Sequence, residues 1–214
     1  MTTPTKTTPT KIKKNLTNGK TSLARFAAPV VTVKRTETVS PKKTSADAPA
    51  EAAKMYETEN DLSKNRRAEM NTLMNQRLAD AVDLQMQLKQ AHWNVKGPSF
   101  IALHELFDKV SEAVEDYVDT IAERIVQLGG IAEGTVRVSG ARTRLEEYPL
   151  NIADGTAHVE AVAKSLSTFG REVRHTINQA DELDDADTGD IFTEISRGTD
   201  KWLWFVEAHS QAAK

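Results

Sequence analysis

From Leu103 to Leu128, apolar residues recur at 103, 107, 110, 114, 118, 121, 125 and 128, always in steps of three or four. This is the period of an α-helix with one buried face, held for about seven turns. A stripe so long and narrow constrains the fold strongly. It must be covered by helices of similar length, so the chain is expected to be all-α. Ser99 is placed to cap the start of this helix, and Gly129-Gly130 to end it.

Three further segments carry the same period. Met70, Leu73, Met74, Leu78, Ala81, Leu84 and Leu88 line one side of an earlier helix. It should begin near residue 62, with Asp61 or Ser63 as cap, and stop near Val95, because Gly97-Pro98 follows. A third helix carries Val159, Val162, Leu166, Phe169 and Val173. A fourth, capped by Asp187, carries Ile191, Ile195, Trp202, Phe205 and Val206. The connection at 96–98 is short enough to force the first two helices antiparallel. The stretch 130–155 is long enough for a crossover with some helix of its own. The expected fold of residues 55–214 is therefore a ferritin-like four-helix bundle with a long connection between helices 2 and 3.

Composition narrows the chemistry. The 214 residues include no cysteine, which excludes disulfides, thiolate metal sites and a cysteine nucleophile. No apolar run approaches the roughly 20 residues of a membrane span. The net charge of -3 conceals a split. Residues 1–54 hold eleven Lys/Arg against three acids, and the rest of the chain is correspondingly acidic. That first segment also holds five of the seven prolines and shows no helical or alternating period, so it is expected to be a disordered basic tail. Lys6, Lys11, Lys13, Lys14, Lys20, Arg25, Lys34, Arg35, Lys42 and Lys43 are candidates for non-specific contacts with DNA phosphates. An organelle transit peptide and a merely solubilising tail are the alternatives. No secretory apolar segment is present.

A second line runs beside the apolar stripe of the second helix: His104, Asp108, Asp119 and Glu123. His104 and Asp108 are one turn apart, as are Asp119 and Glu123, and Asp108 to Asp119 is about three whole turns. Imidazole with carboxylates is a ligand set for iron, manganese or zinc. Acids flanking an apolar stripe are ordinarily a solvated face, and Glu115 and Asp116 are read in that way. Each member of the line follows an apolar residue, about 100° around the helix, so the line faces outward from the edge of the core. The two pairs lie about 16 Å apart along the axis and cannot share one metal within one helix. A second copy packed antiparallel would bring His104 and Asp108 of one chain to Asp119 and Glu123 of the other, with two equivalent sites about the twofold axis. His92, at the end of the first helix, can join His104 across the tight connection.

His92-Trp93-Asn94-Val95-Lys96-Gly97, Leu103-His104 with Asp108, Asp119-Thr120-Ile121-Ala122-Glu123-Arg124 and Leu128-Gly129-Gly130 together resemble the Dps family of miniferritins. Tyr148-Pro149-Leu150 and Asp200-Lys201-Trp202-Leu203-Trp204-Phe205 resemble it too. The resemblance covers about residues 55 to 210. It implies a hollow shell of twelve subunits that oxidises Fe(II), preferentially with hydrogen peroxide, and stores the ferric product. It implies a di-iron ferroxidase centre whose ligands are His92, His104 and Asp108 from one subunit and Asp119 and Glu123 from its twofold mate. It implies for Trp93, which the residues alone allow as a core side chain, a place near the iron where it intercepts radicals. DNA binding by the tail is a habit of the family, not an invariant.

Weaker candidates complete the reading. Asp184, Asp185, Asp187 and Asp190 belong to an acidic run at the start of the fourth helix, either a solvated helix start or the lining of a pore that draws Fe(II) inward. Glu172-x-x-His175 matches half of the motif of di-iron bundles, but only one copy occurs, so it reads as a solvated pair, and His158 and His209 read as surface residues. The expected function is that of a cytoplasmic, nucleoid-associated ferroxidase and iron store that protects DNA, or an organellar one if the tail is a transit peptide. A DNA-compacting protein with little ferroxidase activity and a zinc- or manganese-binding shell are the alternatives.

Overall fold

A computed structural model of the chain describes residues 54–211, all within the unit Asp47–Lys214. The ten basic residues assigned to DNA, in the range 6–43, lie outside the described residues. The order of elements is α1 (Lys64–Asn94), α2 (Phe100–Gln127), α3 (Val136–Arg142), α4 (Gly155–Glu182) and α5 (Ala186–Gln211). The four long helices are those the periodicity predicts, and the long connection carries the seven-residue α3. α1 packs along α2 and α4 along α5, and α1 also meets α4 to close the bundle. No helix among the described residues is long and apolar enough to cross a membrane.

The core follows the stripes. Leu103, Phe107, Val110, Val114, Ile121, Ile125 and Leu128 of α2 and its C-terminal cap are all buried. They face Met70, Met74, Leu78, Leu84 and Leu88 of α1 and the buried Val159, Val162, Leu166, Phe169 and Val173 of α4. Burying a large aliphatic or aromatic side chain stabilises by about 1.5–3 kcal/mol, so this core holds the helices together.

The helix ends are set by specific groups. Ser63 Oγ accepts from the Arg66 amide to open α1, and Asp154 accepts from the Thr156 and Ala157 amides to open α4. Ser99 precedes α2 but makes no side-chain capping bond. The cap of α5 differs from expectation. Asp184 takes a left-handed φ of 52° after α4, and this turn delivers Asp185, not Asp187, to the cap. Asp185 accepts from the Thr188 amide (3.1 Å) and hydroxyl (2.6 Å).

α1 also buries polar residues, and these dock the long connection. Arg67 donates to the Leu128 carbonyl at 3.1 Å, and Gln87 to the Glu146 carbonyl at 3.0 Å. Asp80 accepts from the Arg144 amide at 2.8 Å. Irregular backbone lacks a ladder of its own, and these side chains satisfy part of it. Arg77 pairs with Asp80 (2.9 Å) and Glu172 (3.0 Å), and Arg144 reaches Glu172 at 2.8 Å. Glu172 is thus an inter-helix ion-pair hub and not half of a solvated pair with His175. Burial pushes its carboxyl up, but the hydrogen bonds and charges of Arg77 and Arg144 outweigh this and hold it down at about 2. His158 also departs from expectation: it is buried, not on the surface, with Nδ1 hydrogen-bonded to the Tyr148 hydroxyl at 2.7 Å. Burial lowers its pKa and raises that of Tyr148, because either charge would be desolvated.

Candidate metal centre

The α1–α2 hairpin turns through Gly97 at φ 111°, a left-handed conformation that glycine adopts without strain. The turn lays the last residues of α1 beside the first turn of α2. There the rings of His92 and His104 stack, with centroids 3.7 Å apart and planes at 20°. Nδ1 of His92 lies 2.8 Å from the His104 carbonyl oxygen, and Nδ1 of His104 lies 2.8 Å from that of His92. A carbonyl can only accept, so each Nδ1 carries the proton. In the neutral imidazoles each Nε2 is then left as a free lone pair, the form a metal requires.

Asp108 sits one turn beyond His104. Its Oδ1 lies 3.9 Å from His92 Nδ1 and is hydrogen-bonded by Lys89 Nζ. That bond, opposed by some burial and assisted by the charges of His92, Lys89 and His104, holds its carboxyl below the usual carboxylate range. Lys89 is the site residue that the sequence reading missed. It stands three positions before His92, on the same face of α1 one turn back, and that spacing was the available signal.

The structure thus brings His92, His104 and Asp108 to one corner, all half-buried. It leaves Asp119 and Glu123 exposed further along α2, roughly 16 Å or more from Asp108 along the axis. Among the described residues of one chain, no group of three or more His, Asp or Glu is arranged to hold a metal ion.

The other candidates are placed as follows. Trp93 is not a core residue: it is 61% exposed, at the rim of a cleft shared with Met86, Tyr148 and Leu150. Asp184 is paired with Arg66 at 2.6 Å. Asp185 is buried and paired with Arg124 at 2.7 Å, so its carboxylate is engaged within the chain and does not face solvent. Asp187 and Asp190 are exposed on the first turns of α5. His175 and His209 are exposed.

The helix order, the buried stripes and the long connection define a ferritin-like bundle, and a family model for the ferritin-like domain matches residues 71–214. The DNA protection during starvation protein of Agrobacterium fabrum is 43% identical over 158 residues, which cover 74% of this chain and 98% of that one. The protein of the same name from Mycolicibacterium smegmatis is 31% identical over 152 residues, covering 71% and 82%. Among solved structures, DpsA14 from Streptomyces coelicolor superposes with a TM-score of 0.71 at 31% identity, covering 76% of this chain and 96% of that one. Mycobacterium smegmatis Dps does so with a TM-score of 0.70 at 30% identity, covering 74% and 96%. The chain belongs to the Dps family.

Proposed function

We propose that the protein is a miniferritin that takes Fe(II) as substrate at sites shared between two copies, oxidises it with hydrogen peroxide, and keeps the ferric product inside a twelve-subunit shell. Two Fe(II) give up one electron each. The two electrons cleave the O–O bond of peroxide, whose oxygens leave as water or hydroxide. His92, His104 and Asp108 of one subunit and Asp119 and Glu123 of its mate are the ligands in this reading. The protein's part is to place and charge-balance the ions, and no side chain needs to act as general base. Removing Fe(II) and peroxide together protects DNA, which fits the names that the relatives carry. The basic tail binds DNA non-specifically, and a soluble, nucleoid-associated location in the cytoplasm follows from the same reading.

One observation supports the proposal: the reciprocal bonding of His92 and His104 through Nδ1 to each other's carbonyls, which leaves both Nε2 atoms unused by the hairpin. The test is anaerobic loading with Fe(II), then peroxide, followed at ferric absorbance with sizing chromatography alongside. Rapid ferric absorbance that co-elutes with a large oligomer supports the reading. Oxidation no faster than in buffer refutes it, and then the surplus of eight positive charges on the tail leaves DNA compaction as the function.

A further inference from the structure

α2 exposes two apolar side chains on the ligand line: Ile101, 62% exposed, and Val126, 59% exposed. At 100° per residue, Ile101, His104, Asp108, Asp119, Glu123 and Val126 all fall within about 100° of arc. Their numbers obey one relation. His104 and Glu123 sum to 227, and so do Asp108 and Asp119. In two antiparallel copies of α2 whose dyad passes between Ala113 and Val114, residue i lies opposite residue 227 − i. Ile101 and Val126 obey it as well.

We infer that Ile101 of the partner subunit seats against Val126, in the cleft of about 450 Å³ that Ala122, Val126 and Ala132 line beside Glu123, and that this contact sets the register of the shared site. The inference rests on the intersubunit reading above and names what fixes it. The ligands themselves cannot fix the register in the apo protein. Glu112 and Glu115 also sum to 227, so the middle of the contact sets like charges face to face. Attraction must come from the apolar ends, which by symmetry are buried twice each. A slip of one turn, with i opposite 223 − i, sets Asp108 against Glu115 and Val126 against Gly97, beyond the end of α2. That register separates Asp108 from Asp119 and Glu112 from Glu115 and creates only Asp108 against Glu115, so charge does not oppose it; it loses because Ile101 gives up Val126 for the smaller Ala122 and Val126 is left uncovered.

The cysteine-free chain allows a direct test. Three full-length variants are oxidised with copper–phenanthroline and run on non-reducing gels: Ile101→Cys with Val126→Cys, Ile101→Cys with Ala122→Cys, and Ile101→Cys alone. Within one chain these positions are more than about 30 Å apart, so any disulfide joins two copies. The 101/126 pair is expected to form covalent dimers at least about tenfold faster than the other two, since a disulfide needs closely apposed Cβ atoms. Equal or faster dimer formation by the 101/122 pair or by the single variant overturns the inference, and so does an absence of dimers from all three. Cross-linking needs no iron, and iron oxidation by the unaltered chain needs no cysteine. Cross-linking without oxidation sinks the ferroxidase reading alone. Oxidation without the 101/126 cross-link sinks the register alone.

Discussion

If Asp108 is a metal ligand as proposed, Lys89 competes with the metal for it, and replacing Lys89 should tighten Fe(II) binding. The Lys89 ammonium bonds the Asp108 carboxylate, with the two side chains 30% and 34% exposed. A charge-assisted hydrogen bond is worth about 1.5–3 kcal/mol when dry. At this exposure solvent screening reduces it to about 1 kcal/mol. Removing the ammonium also removes a like charge from beside the incoming cation, about 1 kcal/mol more at some 4 Å in high dielectric. Lys89→Gln should therefore raise affinity by about 2 kcal/mol, on the order of ten- to thirtyfold. The substitution lets the Asp108 carboxyl drift up toward an ordinary carboxylate pKa, which is still far below neutral pH, so the ligand stays ionised. Lys89→Arg keeps the charge and is the control. The assay is anaerobic calorimetric titration of Fe(II) into the assembled protein at neutral pH. Unchanged or weaker binding by Lys89→Gln would refute the reasoning and make Lys89 a support of the site, not its competitor.

Four more outcomes are expected. Glu172 has its folded pKa lowered from 4.5 to about 2, so its contribution to stability, on the order of 3 kcal/mol, is whole above pH 4.5 and lost as pH falls through about 2. Glu172→Gln should flatten that part of a denaturation-versus-pH curve. Asp80 works in the opposite direction, because burial raises its pKa and acid relieves its desolvation. A methyl at Gly198 would overlap the Tyr117 hydroxyl where α2 meets α5, so Gly198→Ala should lower stability by about 1–3 kcal/mol in urea unfolding, against the usual helix-favouring effect of alanine. If the ligands are shared, refolding an equal mixture of a His92/His104/Asp108→Ala variant with an Asp119→Asn, Glu123→Gln variant should restore about a quarter of the oxidising sites, since half the twofold interfaces are mixed and each of these has one intact site. No recovery, with subunit exchange verified by mass spectrometry, would count against sharing. Deleting residues 1–54 should abolish DNA gel retardation and leave Fe(II) oxidation intact, and the full tail should show a log K against log salt slope near −7 for about eight phosphates.

How legible the fold was differs helix by helix, for physical reasons. α2 could be read almost residue by residue because its buried face is apolar at nearly every position, with Ser111 and Arg124 the buried exceptions. α1 was read from its apolar positions alone. Its buried Arg67, Arg77, Asp80 and Gln87 resemble a solvated face until the connection they dock is known, and their partners lie dozens of residues away. The cap of α5 fell among six acids within ten residues, where composition cannot choose. The left-handed turn at Asp184 chose Asp185. His158 read as a surface residue because a lone histidine carries no burial signal without Tyr148 beside it. Lys89 was passed over for a similar reason: a lysine on a polar helix face ordinarily reaches water, and only the hairpin shows a carboxylate within its reach.

The hairpin also explains why one half of the site is built into the fold and the other is not. α1 ends at Asn94, so its last carbonyls lack helical donors. Val95 N–H still closes on Ala91, but Lys96 N–H turns away to the Ala153 carbonyl, and the His92 carbonyl would be orphaned. His104 Nδ1 satisfies it. The bond that finishes the helix is therefore the bond that fixes the ring and its tautomer, and closing the hairpin prepares the two imidazoles. Asp119 and Glu123 stand exposed on the far half of α2. In the proposed shared site, what prepares them is the second copy. Affinity for the Asp119/Glu123 half of that proposed site would be a property of the interface, and it should follow assembly in a way that the histidine half does not.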